Sequence, residues 1–212
     1  MSQPTVTQVS IPLEIGRLEG ELSIPDKPLA LVLFVHGSGH RENPQNKAIA
    51  SALHAQMLAT LSVELLTPVE DSRQGNRFNV ELLSERLALA SDWARKQPSV
   101  PESVGYFGTG TGAAAALRCA AHSRHIKAVV IHGGRPDLAG TQTLCDVTAP
   151  CLLVVGGRDS AAIAMGRQAF SKLQCEKQML VVPGATERFE HPGTLEQVVS
   201  QAGAWFSRHL AA

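Results

Sequence analysis

The chain has 212 residues, 44% of them hydrophobic, which suffices for one domain with a large core and is short for two. Lys plus Arg and Asp plus Glu number 19 each, so the chain carries no excess positive charge of the kind that binding to nucleic acid or an anionic membrane needs. We therefore expect a single domain over residues 1–212 that binds neither nucleic acid nor membrane.

The first residues, MSQPTVTQVSIPLEIG, lack the basic start and apolar run of a secretion signal, and no segment approaches the ~18 apolar residues of a membrane span. We expect a cytoplasmic protein. The cysteines, Cys119, Cys145, Cys151 and Cys175, fit no metal-binding spacing and are interpreted as free thiols. We expect no cofactor.

Polar and apolar residues alternate in TQVSIPLEI and GRLEGELSIP, which predicts an antiparallel hairpin around Gly16. After Pro28, continuous apolar runs alternate with helical segments. Strands that are apolar on both faces are typical of a parallel sheet covered by helices on each side. The pattern therefore predicts an α/β fold with a mostly parallel sheet of about eight strands, helices on both faces and no cap domain.

Ligands of such sheets bind at the carboxyl ends of the strands. The segments predicted to lie there are HGSGH (36–40), ELLTPVED (64–71), GTGTG (108–112), HGGRPD (132–137), GGRDS (156–160) and PGATERFEH (183–191).

The glycine turn at 108–112 has two interpretations. The spacing Gly108-x-Gly110-x-x-Ala113 fits a dinucleotide-binding turn, whereas GTGTG fits a nucleophile elbow, G-x-S-x-G, with Gly110 in place of serine. A dinucleotide site needs an acidic residue about 20 residues further on, at the tip of the next strand. That tip carries His132, and the first acid beyond it is Asp137. The elbow is therefore the favoured interpretation.

From about Leu29 to Leu210 the chain resembles the dienelactone-hydrolase-like family of α/β hydrolases, through VLFVHGSG, GYFGTGTGAAAAL, VIHGGRPDLAG, LLVVGGRD and VVPGATERFEHPG. The resemblance implies an α/β-hydrolase fold and hydrolysis of esters or lactones. Relatives typically show a G-A-S-T-G-A elbow and a G-A-T-H turn after the last strand. Here Gly110 stands at the serine and Glu187 at the histidine, while Asp159 matches the triad acid.

These two departures predict an impaired enzyme. Loss of a nucleophilic serine costs about 10⁶ in turnover. We expect a pseudoenzyme that binds a small acyl or carboxylate ligand or serves as a scaffold. A serine removed to trap a substrate would give the same Gly110, although the second departure at Glu187 favours natural loss.

The alternative is an active hydrolase with a rearranged site. His191 follows Glu187 by four residues, so the two side chains would share a face if 187–191 formed a turn of helix. His191 would then act as general base with Asp159, on a water held above Gly110. Otherwise His191 is a surface residue and Asp159 caps the helix that follows it.

In either case the resemblance implies an oxyanion hole formed by the Gly37–Ser38 loop and the N–H group of Thr111. The hydroxyl groups of Ser38, Thr109 and Thr111 are predicted to be badly placed to act as substitute nucleophiles. His36 is interpreted as a residue that holds this loop by hydrogen bonds, and His132 as its counterpart below the neighbouring strand.

Two further possibilities concern partners. His36, His40 and His191 share one edge of the predicted sheet with Asp159 and Glu187, but without a specific metal-binding spacing, so we predict no metal site. A homodimer could use the last helix or the edge strand, although nothing in the sequence pattern requires it.

Overall fold

The computed structural model of the chain describes residues 3–36 and 43–210. Its strands are β1 (Thr5–Pro12), β2 (Arg17–Ile24), β3 (Ala30–Val35), β4 (Leu58–Val63), β5 (Val104–Thr109), β6 (Ile126–His132), β7 (Cys151–Gly156) and β8 (Lys177–Val182). Its α-helices are α1 (Pro44–Ala55), α2 (Pro68–Asp71), α3 (Val80–Arg95), α4 (Gly112–His122), α5 (Thr141–Asp146), α6 (Ser160–Lys172) and α7 (Thr194–Leu210).

The eight strands form one sheet in the order β1-β2-β4-β3-β5-β6-β7-β8. The β1–β2 hairpin is antiparallel and β2 pairs antiparallel with β4, whereas all other neighbours are parallel. The hairpin turns near Gly16, whose φ of +86° suits a residue without a Cβ atom. The predicted mostly parallel sheet of about eight strands without a cap domain is confirmed.

Two apolar cores explain why the strands lack alternation. On one face, side chains from α3, α4 and α6 pack on the sheet, and Leu87, Leu117 and Ala169 are fully buried there. On the other face α1 and α7 cover the sheet, with Ile49 and Phe206 fully buried. Every residue of β3 and β7 is buried because helices lie on both sides of them.

The chain between β4 and α3 is folded onto the body of the protein by polar contacts. Thr67 caps α2 through a capping box, in which its hydroxyl accepts the Glu70 N–H and the Glu70 carboxylate accepts the Thr67 N–H. Arg86 of α3 donates to the same carboxylate at 2.6 Å. This segment is thereby fastened beside the carboxyl end of the sheet.

None of the helices in the described parts of the chain combines the length and apolar character that crossing a bilayer requires.

The buried hydroxyl of Tyr106 on β5 generates a stability prediction. Ser91 Oγ donates to the Leu87 carbonyl at 2.8 Å and lies 2.7 Å from the Tyr106 hydroxyl, which therefore donates to it. Burial raises the pKa of Tyr106 above its ordinary value. We expect Tyr106→Phe to lower the free energy of unfolding by about 1 kcal/mol, as one lost hydrogen bond does. Urea denaturation measures this change.

The comparison variant is Ser91→Ala, which leaves the buried Tyr106 hydroxyl without its partner. That variant should cost more than Tyr106→Phe, because an unsatisfied buried donor carries its full desolvation penalty. A smaller loss in Ser91→Ala would contradict the hydrogen bond between Ser91 and the buried Tyr106 hydroxyl.

Candidate functional site

The turn from β5 into α4 has the geometry of a nucleophile elbow. Gly110 follows the last residue of β5 and has a φ of +56°, the left-handed region. Helix α4 starts two residues later, at Gly112. Residues with a Cβ atom pay roughly 1–2 kcal/mol to adopt this conformation. The elbow interpretation of GTGTG is consistent with this turn, and the nucleophile position is occupied by glycine.

Substitution of the two glycines of the turn, Gly110 and Gly112, is disfavoured for different reasons. A Cβ atom on Gly112 would overlap the carbonyl group of Val35 at the end of β3. A Cβ atom on Gly110 would meet nothing within 4 Å. Gly112 is therefore fixed by the close approach of α4 to β3, whereas at Gly110 a side chain is disfavoured by the backbone conformation alone.

Neighbouring segments hold the elbow in place. The Gly110 carbonyl accepts a hydrogen bond from the Arg135 N–H at 2.9 Å, which joins the turn to the loop after β6. The buried Thr111 hydroxyl donates to the carbonyl of Arg77 at 2.8 Å. This bond directs the Thr111 hydroxyl toward the 67–79 segment, as expected if it is not a substitute nucleophile.

A cleft of ≈ 1060 Å³ opens above Gly110 at the carboxyl ends of β5, β6 and β7. This is about the upper end of the volume range of small-molecule sites. Among the residues that line it are Gly110, His132, Arg135, Asp159, Glu187 and Phe189. The structure therefore brings three of the predicted site residues, Gly110, Asp159 and Glu187, to one cleft.

Asp159 combines two positions that the sequence suggested. It lies half-buried at the edge of the cleft and is also the N-cap of α6, where its Oδ1 accepts the Ala162 N–H at 2.9 Å. An aspartate at an N-cap stabilises its helix by about 1 kcal/mol. Helix capping alone therefore explains an aspartate at this position, without a catalytic role.

Glu187 and His191 do not form the arrangement that a rearranged hydrolase needs. Residues 187–188 form a turn and residues 187–191 are not helical. Glu187 and His191 therefore do not share the face of a helix. The Glu187 side chain is 71% exposed, with Arg188 3.9 Å away. His191 is half-buried outside the residues that line the cleft, and its carbonyl accepts the Thr194 hydroxyl at 2.6 Å.

His132, which the sequence suggested to be a counterpart of His36 below the neighbouring strand, lies in the lining of the cleft. It is the last residue of β6, lines the cleft and is only 7% exposed. Its Nε2 atom is buried without a hydrogen-bond partner among the described residues. Burial lowers the pKa of His132 to about 4, so the ring is neutral at neutral pH. The available signal was its position at the carboxyl end of a parallel strand.

Phe189 forms a wall against this histidine. The ring centroids of His132 and Phe189 are 4.4 Å apart, and those of His132 and Phe107 are 5.7 Å apart. Phe189 has a φ of +49°, which for a bulky residue costs on the order of 1–3 kcal/mol. Strain of this kind persists where the surroundings fix a residue, and here it places an aromatic ring on His132 at the base of the cleft.

His36 lies at the carboxyl end of β3 and is 1% exposed. Its ring nitrogens lie 3.4 Å from Asn46 Nδ2 and from Ser62 Oγ, which joins β3 to α1 and β4. The predicted oxyanion residues Gly37 and Ser38, and also His40, lie outside the described residues. Their predicted roles stay predictions.

In the parts of the chain that the structure describes, no group of three or more His, Cys, Asp or Glu residues is arranged to hold a metal ion.

The family follows from comparison with known proteins. The model of the Dienelactone hydrolase family matches residues 67–205, which include the elbow and Asp159. The chain belongs to the dienelactone hydrolase family. The crystal structure of a dienelactone hydrolase from Anabaena variabilis is 42% identical, with a TM-score of 0.92, and the match covers 99% of this chain and 100% of that one.

More distant or longer relatives extend the comparison. Est1E from Butyrivibrio proteoclasticus matches with a TM-score of 0.79 over 97% of this chain and 99% of that one, but at 17% identity the likeness concerns the fold alone. A Mycobacterium tuberculosis protein named "Putative phosphoribosyl transferase" is 47% identical over 194 residues. That match covers 90% of this chain and 44% of the relative, so the chain spans less than half the length of the curated relatives it matches.

The elbow glycines generate the first prediction at this site. We expect Gly110→Ser to lower the free energy of unfolding by about 1 kcal/mol, because its side chain enters open space and only the left-handed conformation is penalised. The matched variant Gly112→Ser should cost about 3 kcal/mol or more, because its Cβ atom overlaps the Val35 carbonyl. Urea denaturation of both variants measures the difference, and equal losses would contradict the geometry of the turn.

The second prediction concerns the pH dependence of stability. The pKa of His132 is about 4 in the folded protein and ordinarily 6.5, so the unfolded chain takes up a proton at higher pH than the folded one. This group therefore lowers stability as the pH falls from about 6.5 to about 4. Between pH 7.5 and 4.5 the parent should lose about 2.5 kcal/mol more than His132→Asn, at about 1.36 kcal/mol per pKa unit.

Urea denaturation at the two pH values provides the measurement. Burial also lowers the pKa values of His54 and His209. Because the parent and His132→Asn both retain these histidines, their contribution to the pH dependence cancels in the comparison. Equal losses in parent and variant would show that His132 is not buried in its neutral form.

Proposed function

We propose that this member of the dienelactone hydrolase family does not carry out triad hydrolysis and instead binds a small acyl or carboxylate ligand in the cleft above Gly110. One observation carries the proposal. The elbow keeps its left-handed turn and its open space, yet its central residue has no nucleophilic atom. Without the nucleophile about 10⁶ of turnover is lost, and only the contributions of binding and of an oxyanion hole remain.

The lack of a suitable base supports the same proposal. A general base works best when its pKa is near the working pH. Of the described residues that line the cleft, His132 alone carries an imidazole, and the pKa of His132 is about 4. Its ring is therefore a weak proton acceptor at pH 7. Glu187 occupies the position of the family histidine, with most of its side chain in solvent.

The lining of the cleft suits a small organic acid or an acyl group. Ala162, Met165 and Phe189 are the apolar part of the lining, and the guanidinium groups of Arg135 and Arg188 lie at the same cleft beside the carboxylates of Asp159, Glu187 and Glu190. Gly110 directly precedes the first turn of α4, and the positive end of a helix dipole favours anionic groups there. An apolar cleft with a few polar groups is the usual form of a small-molecule site.

The name of the Mycobacterium tuberculosis relative does not lead to a transferase proposal for this chain. The shared residues amount to 44% of that longer protein, and the name describes the whole of it. The cleft over the elbow lies in the shared part, and the proposal rests on that cleft.

The experiment is hydrolysis of a p-nitrophenyl ester series from acetate to octanoate. We expect the parent and Gly110→Ser to stay at the uncatalysed rate, since the second has a nucleophile but no base. Gly110→Ser combined with Glu187→His should hydrolyse the short esters at a measurable rate, because it provides both missing groups beside Asp159.

His191→Ala is the variant that separates the two hypotheses. Hydrolysis by the parent that His191→Ala abolishes would establish a water-using enzyme with a rearranged site and overturn the proposed function. Circular dichroism of each variant confirms that it is folded.

A further inference from the structure

The ring of His132 is polar, almost fully buried and without partners. Neither ring nitrogen makes a hydrogen bond within the described residues, and Nε2 is sealed from solvent whereas Nδ1 is not. Burial of this ring is unfavourable, because Nε2 loses its bond to water without gaining a partner. Nδ1 has no partner among the described residues and is not sealed, so it is the ring atom of His132 that is open to a ligand in the cleft.

The position of His132 places that contact beside the elbow. In the sheet His132 pairs with Thr109 of β5 on one side and with Val154 of β7 on the other. Thr109, Gly110 and His132 all line the cleft. A group that reaches Nδ1 therefore lies next to the open space above Gly110.

We propose that Nδ1 of His132 is the polar anchor of a subsite that binds the carboxylate of a small organic acid with an apolar tail. The inference rests on the proposed function and names the residue and ligand class for the same cleft. With the proton on Nδ1, the neutral ring donates one hydrogen bond to the ligand oxygen, and no proton is transferred.

The tail of the ligand is assigned by the walls of the cleft. Phe189 packs on the His132 ring but is only 2% exposed. The apolar side chain of the lining that is open to a ligand is the half-buried Met165 of α6, beside the buried Ala162. An aromatic or short aliphatic tail fits against these side chains, since apolar contact area at about 25 cal/mol per Å² favours its burial. Benzoate is the simplest probe that has both parts.

The charges around the cleft favour a monocarboxylate over a more highly charged anion. Asp159, Glu187 and Glu190 line the cleft together with Arg135 and Arg188, so the lining carries one more negative than positive charge and disfavours a highly charged anion. Arg135 is paired with Asp137 at 2.7 Å. The neutral N–H donor of His132 can bind a singly charged carboxylate without a free cation next to it.

The test is to titrate the parent, His132→Asn and the control His125→Asn with benzoate at pH 7.5 and to measure binding by isothermal titration calorimetry. His125 is an exposed histidine before β6, so its replacement makes the same chemical change away from the cleft. We expect His132→Asn to weaken benzoate binding at least tenfold and His125→Asn to leave it unchanged. In the parent, the ¹⁵N resonance of His132 Nδ1 should shift as benzoate saturates the site.

The outcomes separate this inference from the proposed function. Equal affinity of parent and His132→Asn for benzoate would overturn the role of His132 and leave ligand binding intact. No benzoate binding by the parent would overturn the carboxylate subsite, whereas ester hydrolysis by the parent would overturn the proposed function instead. If His132→Asn fails to fold, the ring resonance in the parent decides, and an unchanged Nδ1 signal at saturating benzoate rejects the proposal.

Discussion

The approach of α4 to β3 is the constraint on which the rest of the site depends. Gly112 places the first turn of α4 against the carbonyl group of Val35, at a distance that no side chain would permit. This contact fixes where the helix starts, and the chain then reverses sharply at Gly110 to connect it to β5. The cleft, the loop after β6 and the 67–79 segment are all arranged around that turn through bonds to Gly110 and Thr111. A hydrolase elbow is therefore maintained by packing, whether or not a nucleophile stands on it.

The elements around the cleft are arranged as in a hydrolase, but the chemical groups inside the cleft are not those of a hydrolase. An elbow, an acid after β7 and a loop after β8 are arranged as in a family of hydrolases. Yet the groups gathered there are a glycine, a capping aspartate, an exposed glutamate and a neutral buried histidine against an aromatic ring. Such a set stabilises a bound molecule better than it transfers protons, because the one imidazole among the described residues of the cleft has its pKa far below neutrality. The proposed binding role follows from this contrast.

Much of the architecture could be predicted from the sequence because it depends on local patterns. Apolar runs without alternation indicated the parallel strands, alternation indicated the β1–β2 hairpin, and the glycine spacing indicated the elbow. Side-chain directions could not be predicted in this way. The hydroxyl of Thr111 is turned to Arg77, which is 34 residues distant in sequence, and His132 lies in the cleft because its strand ends there. The conformation of 187–191 depends on Phe189 in a left-handed backbone, for which the sequence carries no local signal.

If catalysis has been lost as proposed, Asp159 has a reason to be retained that the other two triad positions lack. A residue that both completes a catalytic triad and caps a helix remains under selection for folding after the chemistry is gone, since its loss still removes about 1 kcal/mol of stability. The serine of an elbow has the opposite balance, because glycine relieves its backbone strain. A histidine on an exposed turn such as 187–188 contributes little to stability in either direction. The presence of Asp159 alone is therefore poor evidence of catalysis in this chain, because its capping bond to Ala162 already accounts for an aspartate at this position.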